Sequence, residues 1–334
     1  MINCGFIGYG YWGPNLVRNF CATKDARVFK VCDLKPERLD LVKATYPSVE
    51  VTRDYRELTK DPKIDALVIS TPVSTHFPLA KEALENGKHV LLEKPMTSST
   101  DEAEKLIELA EKKGKVLMVD HVFLYTGAVR KVKEVIEKGE LGDIYYFDSV
   151  RVNLGLFQHD VNVIWDLAPH DFSIMDYVLQ KQPETVSAVG ISHLGDLENI
   201  AYITLQFADN LLAHIHVNWL APVKVRTTLI GGSKKMIVYD DTEPSEKVKI
   251  YDRGVIYPKK AEEVYQILVQ YRTGDILTPK LDTLEALKLV SKEFIDSINQ
   301  NKKPLTDGKA GYRVVKLLQA ANQSLKQRGR TVTL

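Results

Sequence analysis

Gly8-Tyr9-Gly10-Tyr11-Trp12-Gly13 follows directly on a short apolar run at the start of the chain. This spacing of glycines is typical of a strand, a tight turn and a helix that together bind a dinucleotide. The first glycine permits the turn, the second lets the backbone approach a pyrophosphate, and the third lets the helix pack against the strand. The helix N-terminus then directs its N–H groups at the phosphates. Ordinary glycine-rich turns carry the same residues, so the motif alone does not decide the function.

Asp33 strengthens the dinucleotide interpretation because it lies about 20 residues after Gly13 and ends the next β-type run, Val28–Cys32. A carboxylate in this position accepts hydrogen bonds from a ribose 2′-OH and repels a 2′-phosphate. The sequence therefore predicts NAD as the cofactor. Lys35 and Arg38 are close enough in sequence to attract a 2′-phosphate, so NADP is the less favoured alternative.

The composition excludes several kinds of partner. The 334 residues include 45 Lys and Arg and 44 Asp and Glu, which gives a net charge of +1. Nucleic acids and acidic membrane surfaces require a concentration of positive charge that such a chain does not have. No apolar run approaches the roughly 20 residues needed to span a bilayer. We therefore expect no nucleic-acid and no membrane partner, and a small molecule as the substrate.

The three cysteines, Cys4, Cys21 and Cys32, are an odd number with no CxxC spacing. The sequence therefore predicts neither a disulfide framework nor a metal site. We expect all three to be buried small side chains in a reducing compartment. The N-terminus enters a strand without a basic leader, which favours a cytoplasmic location.

The chain changes character at about residue 120. Before that point β-type and helical segments alternate, which predicts an α/β fold: an N-terminal Rossmann domain with a doubly wound parallel sheet. After Tyr125 a helix, a long strand and a second helix, about Leu167–Leu179, precede a series of β-type segments, which predicts a C-terminal α+β domain with a large, open, mainly antiparallel sheet. The segments are Thr185–Ser192, Ile200–Phe207, Leu211–Trp219, Val223–Ile230, Lys235–Tyr239 and Lys247–Tyr251.

The predicted domains are residues 1–122, which bind the cofactor, and residues 123–334, which bind the substrate. The last helix is expected to pack back on the first domain. Within the second domain, Asp209-Asn210 and Gly231-Gly232 are the expected hairpin turns.

Lys94 is the first candidate for chemistry. It lies in Leu92-Glu93-Lys94-Pro95, directly after a predicted strand, and ligands of open α/β sheets bind outside the carboxyl ends of the strands. Pro95 fixes the chain direction after Lys94, and an X–Pro bond adopts the cis form more readily than other peptide bonds. The alternative is an ordinary surface lysine in a strand-to-helix loop.

Asp166 and His170 are four residues apart, so on a helix they share one face. A carboxylate near an imidazole orients the ring and favours its charged form. The alternative is structural: Asp166 is a helix N-cap, Pro169 occupies the third helical position, and His170 is a satisfied histidine at the helix start. These residues alone favour neither interpretation.

Lys94, Asp166 and His170 together suit hydride transfer from an alcohol to a nicotinamide. A histidine has the pKa range of a general base for the hydroxyl proton. A lysine ammonium beside the same hydroxyl stabilises the developing alkoxide. The nicotinamide carries the hydride chemistry itself, so no metal ion is required.

The chain as a whole resembles the glucose–fructose oxidoreductase and inositol dehydrogenase (Gfo/Idh/MocA) family. The resemblance rests on the N-terminal glycine motif, Ser70-Thr71-Pro72 followed by His76, Glu93-Lys94-Pro95, Asp166-x-x-x-His170, and Pro304-Leu305-Thr306-Asp307-Gly308. It implies that Lys94 and His170 are the catalytic pair, supported by Asp166, and that the open sheet forms homodimers or homotetramers. The cofactor contacts it implies, with those of the glycine motif, are Gly8, Gly10, Tyr11, Trp12, Gly13, Asp33, Thr71, Pro72, His76 and Glu93. Val73 departs from the Asn that many members carry there, which puts one side-chain contact to the cofactor in doubt.

A narrower resemblance concerns the substrate. His121–Tyr125, Gly274–Pro279 and Trp165–His170 are similar to members that act on nucleotide sugars, such as UDP-N-acetylglucosamine 3-dehydrogenases. A nucleotide sugar brings a diphosphate, for which the local candidates are Arg151, the polar run Gln158-His159-Asp160 and Asn162; the alternative is a solvated loop. Tyr125 either packs on a sugar ring or belongs to the core.

Two other functions remain open. The same fold and residues suit an inositol or free-sugar dehydrogenase, and a non-catalytic NAD-binding regulator is the alternative of another class. His214, His216 and Asn218 share a strand face, which favours a polar or subunit-facing surface over part of a metal site.

Overall fold

Strands and helices alternate in the first third of this computed structural model, which describes residues 1–155, 157, 158, 160–256 and 270–334. The strands are β1 (Ile2–Ile7), β2 (Ala26–Cys32), β3 (Glu50–Thr52), β4 (Ala66–Ile69), β5 (His89–Glu93), β6 (Leu117–Asp120), β7 (Ile144–Leu154), β8 (Thr185–Ile191), β9 (Ile200–Gln206), β10 (Leu212–Asn218), β11 (Leu220–Gly232), β12 (Met236–Asp240), β13 (Val248–Ile256), β14 (Gln270–Leu277) and β15 (Val332–Thr333). The α-helices are α1 (Gly13–Cys21), α2 (Pro36–Thr45), α3 (Arg56–Thr59), α4 (His76–Glu85), α5 (Thr100–Lys113), α6 (Gly127–Glu137), α7 (Val163–Leu179), α8 (Ala286–Gln300) and α9 (Gly308–Lys326).

The chain divides into two compact units. Met1–Tyr125 and Leu284–Gln319 form the first unit, and Thr126–Thr283 with Ala320–Leu334 form the second. Among the described residues, no helix combines the length and the apolar character that crossing a bilayer requires.

The sheet of the first unit has six parallel strands in the order β3-β2-β1-β4-β5-β6. The central strand β4 and the edge strand β6 are buried along their whole length, as expected for parallel strands covered on both faces. The chain order reverses between β1 and β4, and ligands of doubly wound sheets bind at such a switch point. The predicted doubly wound sheet is therefore confirmed.

The sheet of the second unit has nine strands in the order β14-β13-β12-β11-β7-β10-β9-β8-β15. Only the pair β7 and β10 is parallel among the described strands, so the prediction of a mainly antiparallel sheet is confirmed. Residues alternate between buried and more exposed along β9 and β10, because one face packs beneath α7. The turn at Asp209-Asn210 joins these two strands as predicted, with Asn210 at φ 55°.

The second predicted helix of the C-terminal domain begins earlier than the sequence indicated. α7 begins at Val163 rather than near Leu167, and its N-cap is Asn162, whose side chain accepts a hydrogen bond from the Trp165 N–H. The interpretation of Asp166 as N-cap is therefore wrong. Pro169 lies inside the helix instead of in its first turn, and it has no N–H to donate to the carbonyl of Trp165.

Two further expectations fail, and strand β14 was not expected. Gly231-Gly232 ends strand β11, and the turn falls at Ser233-Lys234, closed by the Gly232 N–H on the Lys235 carbonyl. β14 was not predicted because its described side chains are exposed, so the sequence shows no alternation there. Cys21 is exposed, whereas Cys4 and Cys32 are buried as expected.

Candidate active site

The glycine motif forms the turn between β1 and α1. Gly8 has φ +98°, and a Cβ there would lie 2.5 Å from the carbonyl oxygen of Ser70. A Cβ on Gly13 would lie 2.5 Å from the carbonyl oxygen of Gly8. A Cβ on Gly10 would meet only the flexible end of Arg38, at 3.4 Å or more. Gly8 and Gly13 are thus required by the fold, and Gly10 leaves its backbone open to a close approach by a ligand.

The N-terminus of α1 suits a negatively charged ligand. Trp12 occupies the N-cap position without a side-chain hydrogen bond, and no acidic residue lies in the first turn. The positive end of the helix dipole is therefore not neutralised by the chain itself. Tyr11 is 82 % exposed, and its ring meets that of Trp12 edge to face at 5.8 Å between centroids. These residues fit the pyrophosphate of a dinucleotide.

Asp33 connects the glycine turn to the end of β2. Its Oδ2 accepts a hydrogen bond from the Tyr9 N–H at 2.7 Å, and its Oδ1 accepts one from the Lys35 N–H at 2.9 Å. The Arg38 guanidinium forms an ion pair with the same carboxylate at 3.2 Å. Because an ionised carboxylate has about four acceptor positions, these three donors leave at most one position for a ribose hydroxyl. Arg38 is balanced by Asp33, which disfavours a second anion such as a 2′-phosphate.

The loops after β4 and β5 are joined by His76. Its Nδ1 lies 2.9 Å from the carbonyl oxygen of Pro95, and its Nε2 lies 2.9 Å from that of Thr71. Burial lowers the pKa of His76, which keeps the ring neutral. The Thr75 hydroxyl donates to Thr71 Oγ1 at 2.6 Å, and Pro72 precedes the short 3₁₀ helix Val73–Thr75. A neutral imidazole has one N–H, so His76 donates a hydrogen bond to one of these two carbonyls and lies against the other. His76 therefore packs between two loops at the carboxyl end of the sheet, where Thr71 and Pro72 were predicted to contact the cofactor.

Lys94 follows β5 at the same carboxyl end. The Lys94–Pro95 peptide bond is cis, and the Lys94 backbone N–H donates to Oε2 of the buried Glu93 at 3.1 Å. Lys94 itself is half-buried. Ligands of open α/β sheets bind at this end of the strands, so Lys94 remains a candidate ligand-binding residue.

In the second unit, Asp166 and His170 lie one turn apart on α7. Asp166 Oδ2 accepts a hydrogen bond from Nε1 of Trp219 at 3.0 Å, and the Ser173 hydroxyl donates to the His170 carbonyl at 2.8 Å. Trp219 is buried and precedes β11, so its contact fixes the Asp166 carboxylate relative to the sheet. Sequence patterns predict no role for Trp219, because a lone tryptophan after a strand is typical of the hydrophobic core.

The predicted substrate contacts are dispersed. Arg151 lies in strand β7, buried, and its Nε donates to Asp171 Oδ2 at 2.7 Å while its Nη2 donates to Oδ1 at 3.2 Å. The Asn162 amide caps α7 and donates to Glu198 and Asn322. Gln158 is exposed, and His159 lies outside the described residues.

Tyr125 is buried at the end of the first unit's opening segment. Its hydroxyl lies 3.1 Å from Oγ1 of Thr306, and burial raises the pKa of the phenol. Of the two interpretations that the sequence left open, this environment matches the packing role.

No cluster of three or more His, Cys, Asp or Glu side chains suited to a metal ion occurs within the described ranges. His214 and His216 lie on one face of β10 as predicted, and the Tyr202 ring stacks on both of them, at 6.2 and 4.4 Å between centroids. These histidines belong to an aromatic surface of the sheet.

Two family models match the chain and together cover more than half of it. Residues 2–121 match a model described as oxidoreductase family, NAD-binding Rossmann fold. Residues 129–238 match the GFO/IDH/MocA C-terminal domain. The chain belongs to the GFO/IDH/MocA oxidoreductase family. The resemblance drawn from the sequence motifs is thereby confirmed, and so is the prediction of an NAD-binding oxidoreductase.

Characterised and uncharacterised members of the GFO/IDH/MocA family align with most of this chain. The uncharacterized oxidoreductase YdgJ of Escherichia coli (strain K12) is 30% identical over 74% of this chain and 73% of its own length. The myo-inositol 2-dehydrogenase of Thermotoga maritima is 25% identical over 97% of this chain and 96% of its own. The UDP-N-acetylglucosamine 3-dehydrogenase of Acidithiobacillus ferrooxidans is 26% identical over 93% of both. A solved structure of that enzyme, GnnA, superposes with a TM-score of 0.79 over 98% of both chains, at 25% identity.

Proposed function

We propose that this oxidoreductase transfers a hydride between a secondary hydroxyl of a sugar or nucleotide sugar and NAD, with Lys94 and His170 as its catalytic residues. The observation that carries the proposal is the position of Lys94. It follows β5 at the carboxyl end of the sheet that also presents the glycine turn and Asp33. A cation at this end of the sheet suits a group that must stabilise an alkoxide next to a bound dinucleotide.

NAD, when bound, accepts the hydride from the hydroxyl-bearing carbon. In the proposed reaction the Lys94 ammonium donates a hydrogen bond to the substrate oxygen and stabilises the negative charge that develops on it. The neutral imidazole of His170 takes the hydroxyl proton. In the reverse direction His170 returns that proton to the carbonyl oxygen, so the atoms and charges balance.

Asp166 is proposed to support His170. Its place one helical turn before His170 lets its charge favour the imidazolium that forms when His170 takes the proton. The hydrogen bond from Trp219 supports this role because it holds the carboxylate in one orientation.

A nucleotide sugar is our proposed substrate class, with UDP-N-acetylglucosamine oxidised at C3 as the leading example. The alignment with a UDP-N-acetylglucosamine 3-dehydrogenase over nearly the whole chain supports it. The exposed Gln158, in the segment before α7, is the remaining candidate contact, because the Arg151 and Asn162 side chains serve the packing of the second unit. An inositol is the second candidate, which the alignment with myo-inositol 2-dehydrogenase favours.

A substrate panel tests the proposal. Purified protein is incubated with NAD and, in turn, UDP-N-acetylglucosamine, myo-inositol and glucose, and NADH formation is followed by absorbance. We expect turnover with the nucleotide sugar and competitive inhibition by UDP alone, because a diphosphate site binds UDP as well. If myo-inositol is turned over and UDP does not inhibit this reaction, the substrate is an inositol, which is the second candidate. Tight NAD binding without turnover of any polyol or nucleotide sugar contradicts the enzymatic function and favours a regulator.

We also propose that the chain forms a homodimer or homotetramer through the nine-stranded sheet. Val189, Tyr202, Leu212 and Leu229 are exposed by 38 to 50%. The strand register places them on the same face as His214 and His216. An exposed sheet face that carries aliphatic and aromatic side chains is typical of a subunit interface.

A further inference from the structure

Two carboxyl groups meet at the carboxyl ends of the adjacent strands β5 and β6. Glu93 and Asp120 are register partners in these parallel strands, so their side chains project to the same side of the sheet. Glu93 is 8 % exposed and Asp120 is 3% exposed. The two side chains are within hydrogen-bonding contact of each other. Asp120 has no part in the function proposed above.

A hydrogen bond between two carboxyl groups requires that one of them carries a proton, since an ionised carboxylate only accepts. Two buried carboxylates in contact would also repel each other strongly. Glu93 is the better anion of the two, because the Lys94 backbone N–H donates to its Oε2 and the Lys94 charge opposes the rise that burial causes in its pKa. Burial, followed by the neighbouring Glu93, raises the pKa of Asp120 well above its usual value.

The groups around this pair leave the proton on Asp120. Asp120 Oδ1 and both ring nitrogens of His121 are buried without a hydrogen-bond partner among the described residues. Burial, then Lys94, then Arg313 of α9 lower the pKa of His121 to about 3, so its ring is neutral. His76 on α4 is neutral for the same reason. The cation whose charge acts on both carboxyl groups is Lys94.

We propose that Asp120 is a positioning residue for Lys94: its protonated carboxyl group donates a hydrogen bond to ionised Glu93, which in turn anchors the Lys94 backbone and places one negative charge beside its ammonium group. A second carboxylate charge would compete with the substrate oxygen for the ammonium group, because an anion attracts it more strongly than a hydroxyl does. The inference rests on the catalytic role proposed for Lys94.

The shared proton is tested directly by infrared difference spectroscopy of the full chain with and without the substitution Asp120→Asn, at about pH 7. An unperturbed aspartic acid is ionised at this pH, so a protonated Asp120 adds a carboxylic-acid C=O band to the wild-type spectrum. We expect that band to disappear in Asp120→Asn. A wild-type spectrum without it, or a band that survives the substitution, overturns the proposal.

The positioning role is tested by comparing Asp120→Asn with Asp120→Leu. The asparagine amide donates to Glu93 as a protonated carboxyl does, whereas leucine of similar size cannot donate. We expect Asp120→Leu to lose about tenfold or more in kcat/KM, and Asp120→Asn to recover most of that loss. NAD binding and circular dichroism verify that both variants are folded. If Asp120 acts as an anion, both variants lose activity equally, which overturns the proposal.

The two readouts separate this inference from the function on which it rests. If Lys94→Ala is as active as the wild type, the proposed function fails, and the infrared band still decides where the proton lies. If Lys94→Ala is inactive and the band is missing, only the role of Asp120 fails.

Discussion

At the scale of single residues, the carboxylate of Asp33 holds the glycine turn and is our proposed contact to the cofactor ribose. It accepts backbone N–H groups from Tyr9 and Lys35 and pairs with Arg38. Arg38 forms an ion pair with this carboxylate, so we propose that the choice between NAD and NADP depends on one negative charge. A 2′-phosphate could pair with Arg38 only if that charge were removed.

Asp33→Ser should therefore change cofactor preference. Loss of the charged acceptor weakens NAD use by about tenfold or more in kcat/KM, and NADP use rises relative to NAD because Arg38 is released. The measurement is kcat/KM with each cofactor, at fixed sugar substrate. Asp40→Asn, which removes an exposed carboxylate of α2, is the matched control. An NADP-to-NAD ratio equal to that of the wild type would count against this role.

The residues that sequence reasoning located are those whose role is local. The glycine turn, Asp33 and Lys94 each follow a strand, so their position in the chain fixes their position in the fold. The hydrogen bonds of Arg151 and Asn162 could not be predicted in this way, because their partners Asp171 and Asn322 belong to other elements. Asp120 ends a buried apolar strand just as Glu93 does. This shared position is the sequence feature from which the contact between the two carboxyl groups could have been predicted.

At the scale of elements, α7 carries Asp166 and His170 and is held to the sheet by a buried ion pair. Arg151 of β7 and Asp171 of α7 are both buried, and the Ser149 hydroxyl donates to Asp171 Oδ1 at 2.7 Å. Sequence patterns located the helix but placed its start four residues late. The apolar residues Val163–Trp165 show no helical period of their own, and only the N-cap at Asn162 marks them as the first turn of the helix.

Breaking this ion pair should destabilise the second unit and displace His170. Arg151→Met leaves the Asp171 carboxylate buried without its cation, which costs about 3–5 kcal/mol of unfolding free energy. Lys181→Ala breaks the exposed pair with Asp209 and should cost no more than about 1 kcal/mol. Urea unfolding of both variants gives the comparison. If Arg151→Met and Lys181→Ala lose equal unfolding free energy, burial does not set the strength of the Arg151–Asp171 pair.

At the scale of the whole molecule, the two sheet types could be predicted but the strand order of the second could not. Alternating strands and helices permit few parallel arrangements, and the first sheet adopts the expected one. In the second sheet β7 pairs with β10 and β11, which follow it at a distance in the chain. Such pairings depend on long-range contacts, which local patterns do not encode.

The acid stability of the molecule should depend on His89. Its Nδ1 accepts a hydrogen bond from the Val116 N–H at 3.0 Å, and burial, followed by Lys115, lowers the pKa of His89 to about 4. The unfolded chain binds a proton near pH 6.5 and the folded chain only near pH 4, so stability at pH 7 is lost as the pH falls through that window.

His89→Gln keeps an acceptor for Val116 and does not titrate. In urea unfolding between about pH 7 and pH 4, the wild type should therefore lose more stability than the variant. If the difference in unfolding free energy between the two proteins stays constant across this pH range, the pKa of His89 does not change on unfolding.

The assembly is tested on the exposed face of the nine-stranded sheet. Leu229→Glu places a charge in the proposed interface, and the expected result is a shift toward monomers in size-exclusion chromatography with light scattering. Leu41→Glu changes a similarly exposed leucine on α2 and should leave the assembly as in the wild type. A wild-type protein that is monomeric at all concentrations would contradict the interface.

We propose that Lys94 acts in hydride transfer rather than in cofactor binding, and the kinetics of Lys94→Ala test this role. With the substrate identified from the panel, turnover should fall by about a hundredfold or more, while the dissociation constant for NAD changes by less than about threefold. Lys105→Ala, on the exposed face of α5, is the control and should behave like the wild type. If Lys94→Ala turns over within about twofold of the wild-type rate, Lys94 has no role in hydride transfer.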